Sequence, residues 1–181
     1  MEDHTTDRDD LPDAEALPGP ELTTRRAAID DYSTIRHVHA SAVRSLGDKL
    51  LDAAEVAAAT QAIYSGDYTA ELLRKSVFVA VLNGAIVGTC AWSPNDDRGT
   101  SARISSLFIA PLSQGSGYGR RLLREVERDA RQNGFERFAL TAPVAIVSLF
   151  TGSGFTVASY GTSRDVIPDT AVQVVFLRKP E

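Results

Sequence analysis

The groups in this chain best suited to chemistry belong to its backbone. From Leu107 the sequence runs Leu-Phe-Ile-Ala-Pro-Leu-Ser-Gln-Gly-Ser-Gly-Tyr-Gly119, an apolar strand, a proline turn and a glycine-rich loop ahead of an amphipathic helix. At a helix start such a loop turns several unpaired N–H groups outward, where the helix dipole also favours negative charge. The chemistry that fits is the cradling of a pyrophosphate. Reactive side chains are sparse: histidines at His4, His37 and His39 and a single cysteine, Cys90, without the spacing of a metal site.

Two phosphate loops are excluded by spacing. A Walker loop ends in Gly-Lys-Ser/Thr, whereas Tyr118 and Gly119 lead into Arg120. A dinucleotide fingerprint places its third glycine three positions after the second, but Gly119 follows Gly117 by two, and Pro111 to Ser113 separate the strand from the glycines. What remains is Gln114-x-x-Gly117-x-Gly119, which serves either as a ligand loop or only as a helix cap.

The elements that must position this loop are legible around it. Val77–Leu82, Asn83-Gly84 and Ala85–Trp92 read as a hairpin on a type I′ turn. A strand over about 102–109 follows a polar loop, Ser93 to Thr100. The helix from about Gly117 to Gln132 carries Tyr118, Leu122, Leu123, Val126 and Ala130 on one stripe and stops at Asn133-Gly134. A strand at Phe135–Thr141 and a short helix at Ala145–Thr151 come next, then strands at Phe155–Tyr160 and Val172–Leu177, with a loop from Gly161 to Ala171 between them. Upstream, Leu22–Ala27 reads as a strand and Ile29–Arg44 as a helix. Asp52 and Glu55 form a capping pair before a second helix at Ala53–Tyr64.

The Gln114-x-x-Gly117-x-Gly119 spacing resembles the Gln/Arg-x-x-Gly-x-Gly/Ala signature of the GCN5-related N-acetyltransferase family. Phe150 with Gly154-Phe155 resembles that family's closing Tyr-x-x-x-Gly-Phe element, altered at its first residue. The resemblance spans about Leu22 to Arg178. It implies a single α/β domain of the acyl-CoA N-acyltransferase fold, with a mixed, mostly antiparallel sheet of six or seven strands flanked by about four helices. It also implies acetyl-CoA as co-substrate and an amine of a small molecule or protein as acceptor, attacked directly in a ternary complex. An alternative is an acyl-CoA-binding sensor with little catalysis.

Carried over by position, the resemblance assigns cofactor contacts to Leu107, Phe108 and Ile109 on the strand end. It assigns others to Gln114, Gly115, Ser116, Gly117, Tyr118, Gly119 and Arg120 in the loop, and to Phe150 on the last helix. The side-chain catalysts match less well. Arg103 stands where many members carry a glutamate base, Phe150 replaces the tyrosine that protonates the leaving thiolate, and Pro143 replaces an asparagine. The remaining candidates are Ser105, His39 one turn after Ile35, and Tyr160. His39 also reads as a packed, hydrogen-bonded core residue, and Cys90 as strand packing. The first two helices and the loop bearing Arg164 and Asp165 are expected to wall the acceptor site.

Composition bounds the rest. The 181 residues, 43% hydrophobic, suit one ordinary core. Residues 1–21 hold eight acids, one base and three prolines and read as a flexible acidic tail before a domain at 22–181. The remainder has 18 basic and 16 acidic residues, without the concentrated basic face of a nucleic-acid binder. Arg120, Arg121, Arg124, Arg128 and Arg131, interleaved with Glu125, Glu127 and Asp129, read as a solvated helix face. No apolar stretch approaches a membrane span, the start Met-Glu-Asp-His has no signal-peptide pattern, and one cysteine suits a reducing cytoplasm. The last strands offer an edge through which a homodimer can form.

Overall fold

A computed structural model describes residues 21–96 and 99–180. Residues 1–20 of the expected acidic tail lie outside them.

The described chain forms β1 (Leu22–Arg26), α1 (Tyr32–Leu50), α2 (Ala53–Ile63), α3 (Gly66–Leu73), β2 (Ser76–Leu82), β3 (Ala85–Pro94) and β4 (Ser101–Ile109). There follow α4 (Tyr118–Gln132), β5 (Arg137–Pro143), α5 (Val147–Thr151), β6 (Thr156–Ile167) and β7 (Thr170–Lys179). The strands make one seven-stranded sheet in the order β1-β2-β3-β4-β5-β7-β6. Every neighbouring pair is antiparallel except β4–β5, which is parallel and joined through α4 as such a crossover requires. This is the mixed, mostly antiparallel α/β fold expected from the sequence.

Both faces of the central sheet are covered, so its strands read as continuous apolar runs rather than alternating ones. On β2, Phe78 and Ala80 face α4, packing with Leu122, Leu123 and Val126. Val77 and Val79 face the other way, into a cluster with Ile35 of α1 and Leu72 of α3. The α4 stripe is the one read from the sequence. Asp129 of the same helix joins β1 and β3 to it, accepting from Arg26 Nη2 and Trp92 Nε1, each at 2.7 Å.

Local signals set most element ends. Asn83 (φ 49°) and Gly84 (φ 82°) are both left-handed, as a type I′ turn requires. Asp52 accepts from Glu55 N–H at 2.8 Å while Glu55 accepts from Asp52 N–H at 2.9 Å, the reciprocal cap expected before α2.

Five helices flank the sheet among the described residues, one more than the sequence signals mark: α3 is eight residues long, capped by the Ser65 hydroxyl, and too short for periodicity to declare. Two expectations are corrected. Gly161 to Ala171 is not a loop. β6 and β7 continue through it as an irregular hairpin and turn at Pro168-Asp169. Nor is the charged side of α4 wholly solvated. Glu127 is buried, accepting from Lys179 Nζ at 2.7 Å and Arg131 Nη1 at 3.3 Å, because the end of β7 closes over it.

Candidate functional site

The site begins where β4 leaves β5. The two strands pair from Ser101–Arg137 to Ile104–Leu140 and no further, although β5 runs on to Pro143 against β7. Immediately past the last pair β4 bulges: Ala91 faces Ser105 and Thr89 faces Phe108, so Ser106 and Leu107 together oppose Cys90. Ser106 sits at φ +56°, uncommon for a residue with a side chain.

The extra residue reverses the strand's facing. Before the bulge Ala102 and Ile104 point to the α4 face; after it Leu107 and Ile109 do, and Phe108 turns to the α1 face. Close packing supports this end of the strand. A Cβ on Gly88 would lie 2.6 Å from Ile109 Cδ1 and 3.2 Å from the Phe108 carbonyl, so a side chain there would have to displace Ile109 and crowd the β4 backbone.

The split opens a cavity of about 1030 Å³, at the upper end of small-molecule sites. Ser105 to Ile109 form one wall and Leu140 to Pro143 the other. At one end it runs to the glycine loop. Gly115 and Gly117 are both at φ +79°, and nothing lies within 4 Å of where a Cβ on either would stand. Arg121 N–H to Gly117 O, at 3.2 Å, is the first intrahelical bond of α4. The N–H groups of Tyr118, Gly119 and Arg120 therefore have no intrahelical acceptor and are available to an anion. Gln114 Nε2 donates to Ile109 O at 3.3 Å, tying the loop to the end of β4.

The other end is walled by Ala42 and Leu46 of α1, by Tyr68 and Glu71 of α3, and by the β6–β7 hairpin from Arg164 to Asp169. Glu71 accepts from Lys75 Nζ at 2.6 Å. Glu71, Tyr68 and Asp169 were not singled out in the sequence. The Glu71–Lys75 spacing was the available signal, but without a recognised α3 it had no meaning.

Of the residues proposed from the sequence, Leu107, Phe108, Ile109, Gln114, Gly115, Gly117, Tyr118, Gly119, Arg120 and Phe150 all border the cavity. Ser116 is exposed in the same loop, off the cavity wall. Phe150 is buried, edge-on to Phe155 at 6.1 Å. Ser105 is on the wall, and its Oγ is buried without a hydrogen-bond partner. Arg103 borders the cavity with Nε donating to Asn95 Oδ1 at 3.1 Å.

Tyr160 is 70% exposed on the edge strand β6, away from the cavity wall. His39 is fully buried behind that wall, and desolvation, helped by the charge of Lys75, drives its pKa down to about 3. It is therefore neutral at physiological pH. Burial likewise pushes the Tyr68 phenol well above its ordinary range, with Glu71 adding to the shift, and drives the Cys90 thiol up to about 12. Cys90 packs as a small apolar residue.

Comparison with known proteins bears on what this cavity does. A family model described as Acetyltransferase (GNAT) family matches residues 54–148. No curated protein sequence matches the chain. Among solved structures, the fold is similar to a GCN5-related N-acetyltransferase from Rhodopseudomonas palustris, with TM-score 0.73, 17% identity, and coverage of 90% of this chain and 96% of that one. It is also similar to the PaiA N-acetyltransferase of Thermoplasma acidophilum in complex with coenzyme A, with TM-score 0.73, 15% identity, and coverage of 89% and 99%. A third is YncA from Salmonella typhimurium with its cofactor acetyl-CoA, with TM-score 0.63, 21% identity, and coverage of 88% and 94%.

Proposed function

The chain belongs to the acetyltransferase (GNAT) family, and from that premise we propose that it transfers an acetyl group from acetyl-CoA to an amine of a small molecule or protein. The transfer is by direct attack in a ternary complex, within a domain spanning residues 22–181. The observation that carries this reading is the split between β4 and β5, which joins the glycine loop to a cavity with room for a second reactant.

The residues present suit a pyrophosphate-bearing thioester. The space in front of Gly115 and Gly117 is a cradle that a side chain would fill, and the first-turn N–H groups of α4 point their dipoles to it. Arg120 adds a charge-assisted contact at the same place. Past Ile104 the unpaired edges of β4 and β5 offer backbone N–H and C=O groups to an extended arm carrying amides, and Ser105 Oγ lacks a partner that such an arm can supply. Acetyl-CoA, when bound, supplies the thioester whose C–S bond breaks as the new C–N bond forms.

The chain then orders and polarises. At the Leu107–Ile109 strand end the backbone N–H groups not paired to β3 polarise the thioester carbonyl without having to reorganise. The proton lost by the amine and the proton gained by the thiolate pass through water, since Phe150 carries none and Arg103 is not a base. Glu71, Asp165 and Asp169 line the acceptor end together with Lys75 and Arg164, and their carboxylates offer hydrogen bonds that orient an amine there.

The test is calorimetric titration with acetyl-CoA, followed by free-thiol release over a panel of alkyl amines, amino acids, aminosugars and peptides with free α- or lysine amines. Binding with release for one amine class is the expected result. Binding without release from any of them favours an acyl-CoA sensor, and no binding overturns the site.

A further inference from the structure

His39 lies outside the cavity, yet both of its ring nitrogens are committed, and they link two of the cavity's walls. Nδ1 is 2.7 Å from Tyr68 Oη on α3, and Nε2 is 2.7 Å from Thr89 Oγ1 on β3. Thr89 Oγ1 in turn donates to the Ser106 carbonyl at 2.8 Å. The ring stacks on Phe108 with centroids 4.2 Å apart and planes 30° apart.

For the neutral, buried ring the direction of every proton in this chain follows from valence. A carbonyl only accepts, so Thr89 directs its one hydroxyl proton to Ser106. Thr89 must then accept from His39, which places the imidazole proton on Nε2. Nδ1 is left bare and must accept, so Tyr68 donates to it. The chain ends on a carbonyl that cannot take up a proton, and it therefore cannot serve as a relay. What it can do is hold position.

The held atoms matter. Ser106 is the left-handed residue of the β4 bulge, a conformation that persists only where its surroundings enforce it. That bulge turns Leu107 and Ile109 to one face and Phe108 to the other, onto the His39 ring. Tyr68, at the opposite end of the chain, stands on the acceptor-side wall.

We infer that Tyr68, His39 and Thr89 are positioning residues for acyl transfer: a neutral Nε2–H imidazole held between two hydroxyls locks the β4 bulge and the α3 wall into one arrangement. The backbone that polarises the acyl carbonyl and the surface that receives the amine are thereby kept in register. This rests on the function proposed above.

The test has a spectroscopic arm and a kinetic arm, both on the full chain. Long-range 1H–15N NMR of protein labelled at histidine, with the His39 signal assigned by its loss in His39→Gln, should show the neutral Nε2–H tautomer. An Nδ1–H tautomer or an imidazolium overturns the inference. Kinetically, Thr89→Val removes the hydroxyl with little change of shape and Thr89→Ser keeps it.

With acetyl-CoA and the most active amine of the panel, kcat should fall by about 10–100-fold in Thr89→Val. The acetyl-CoA Kd should change much less than kcat, because the pyrophosphate cradle in the glycine loop is untouched, and Thr89→Ser should recover most of the rate. A wild-type kcat in Thr89→Val, counted per acetyl-CoA site, overturns the inference, since a purely structural role lowers only the number of folded sites. Should Thr89→Val fail to fold, Tyr68→Phe removes the other hydroxyl. It should lower kcat while His39 keeps the Nε2–H tautomer that Thr89 and the Ser106 carbonyl fix, and an unchanged kcat overturns the inference. Failure of the wild type to bind acetyl-CoA is a different result: it removes the proposed function, and the positioning role with it, whatever the tautomer.

Discussion

The two ends of the cavity are built from different material. At the glycine loop, consecutive residues present backbone N–H groups, and the determinant is local: two glycines at φ +79° and a helix that starts directly after them. At the far end α1, α3 and the β6–β7 hairpin each contribute side chains, and β3 contributes Thr89 from behind the wall. A site made of consecutive backbone survives most side-chain changes and fails when its φ values become unavailable. A site assembled by packing tolerates backbone-neutral changes poorly wherever a single hydroxyl or ring sets the register.

That contrast can be broken most directly at Gly117. Gly117→Trp puts a large side chain on a left-handed residue and into the cradle, so acetyl-CoA binding should weaken by at least about 100-fold in calorimetry while the circular dichroism stays native. Unchanged affinity would mean that the pyrophosphate does not lie there.

At the packed end, His39→Leu leaves the Tyr68 and Thr89 hydroxyls without their shared partner. It should cost roughly 2–4 kcal/mol in urea unfolding with an unchanged m-value. A loss below about 0.5 kcal/mol would show that the ring is dispensable.

Acid sharpens the same point. With the native His39 held at about 3 against an ordinary 6.5, the unfolded chain binds one more proton between those values. Its contribution is complete above pH 6.5 and should fall by up to about 1.4 kcal/mol per pH unit as pH drops towards 3. Urea curves at pH 7, 6 and 5 should show this slope in the wild type and less of it in His39→Leu. Equal slopes would assign the acid sensitivity to other groups.

The smallest effect is expected at Phe150→Tyr. If protonation of the leaving thiolate limits turnover, the added hydroxyl should raise kcat several-fold, and an unchanged kcat with unchanged acetyl-CoA affinity would remove that step from the rate-limiting ones.

Much of the fold was legible because its signals are short-range. Asn83-Gly84 declares a hairpin, Asp52 with Glu55 a helix start, and the Leu122, Leu123, Val126, Ala130 stripe a helix lying on a sheet. The glycine loop belongs to the same class. Short or irregular elements escaped: α3 has only eight residues, and the irregular β6–β7 hairpin carries polar residues that read as loop. Glu127 looked like one more member of a charged face, since nothing nearby in sequence announces that Lys179, 52 residues later, closes over it.

By itself, then, the sequence determined the α/β order of elements, the glycine loop and its helix, and the absence of a family-type glutamate and tyrosine at Arg103 and Phe150. Backbone dihedrals and amphipathic periods are written within a few residues of where they act. Tertiary structure alone decided that β4 bulges at Ser106 and parts from β5, that Glu71 and Asp169 share a wall, and which of the two readings of His39, base or packed core residue, holds: it is buried with both ring nitrogens hydrogen-bonded. The partners of His39 lie 29 and 50 residues away, and the burial that sets its charge and the hydrogen bonds that set its tautomer exist only once the sheet and helices have closed around it.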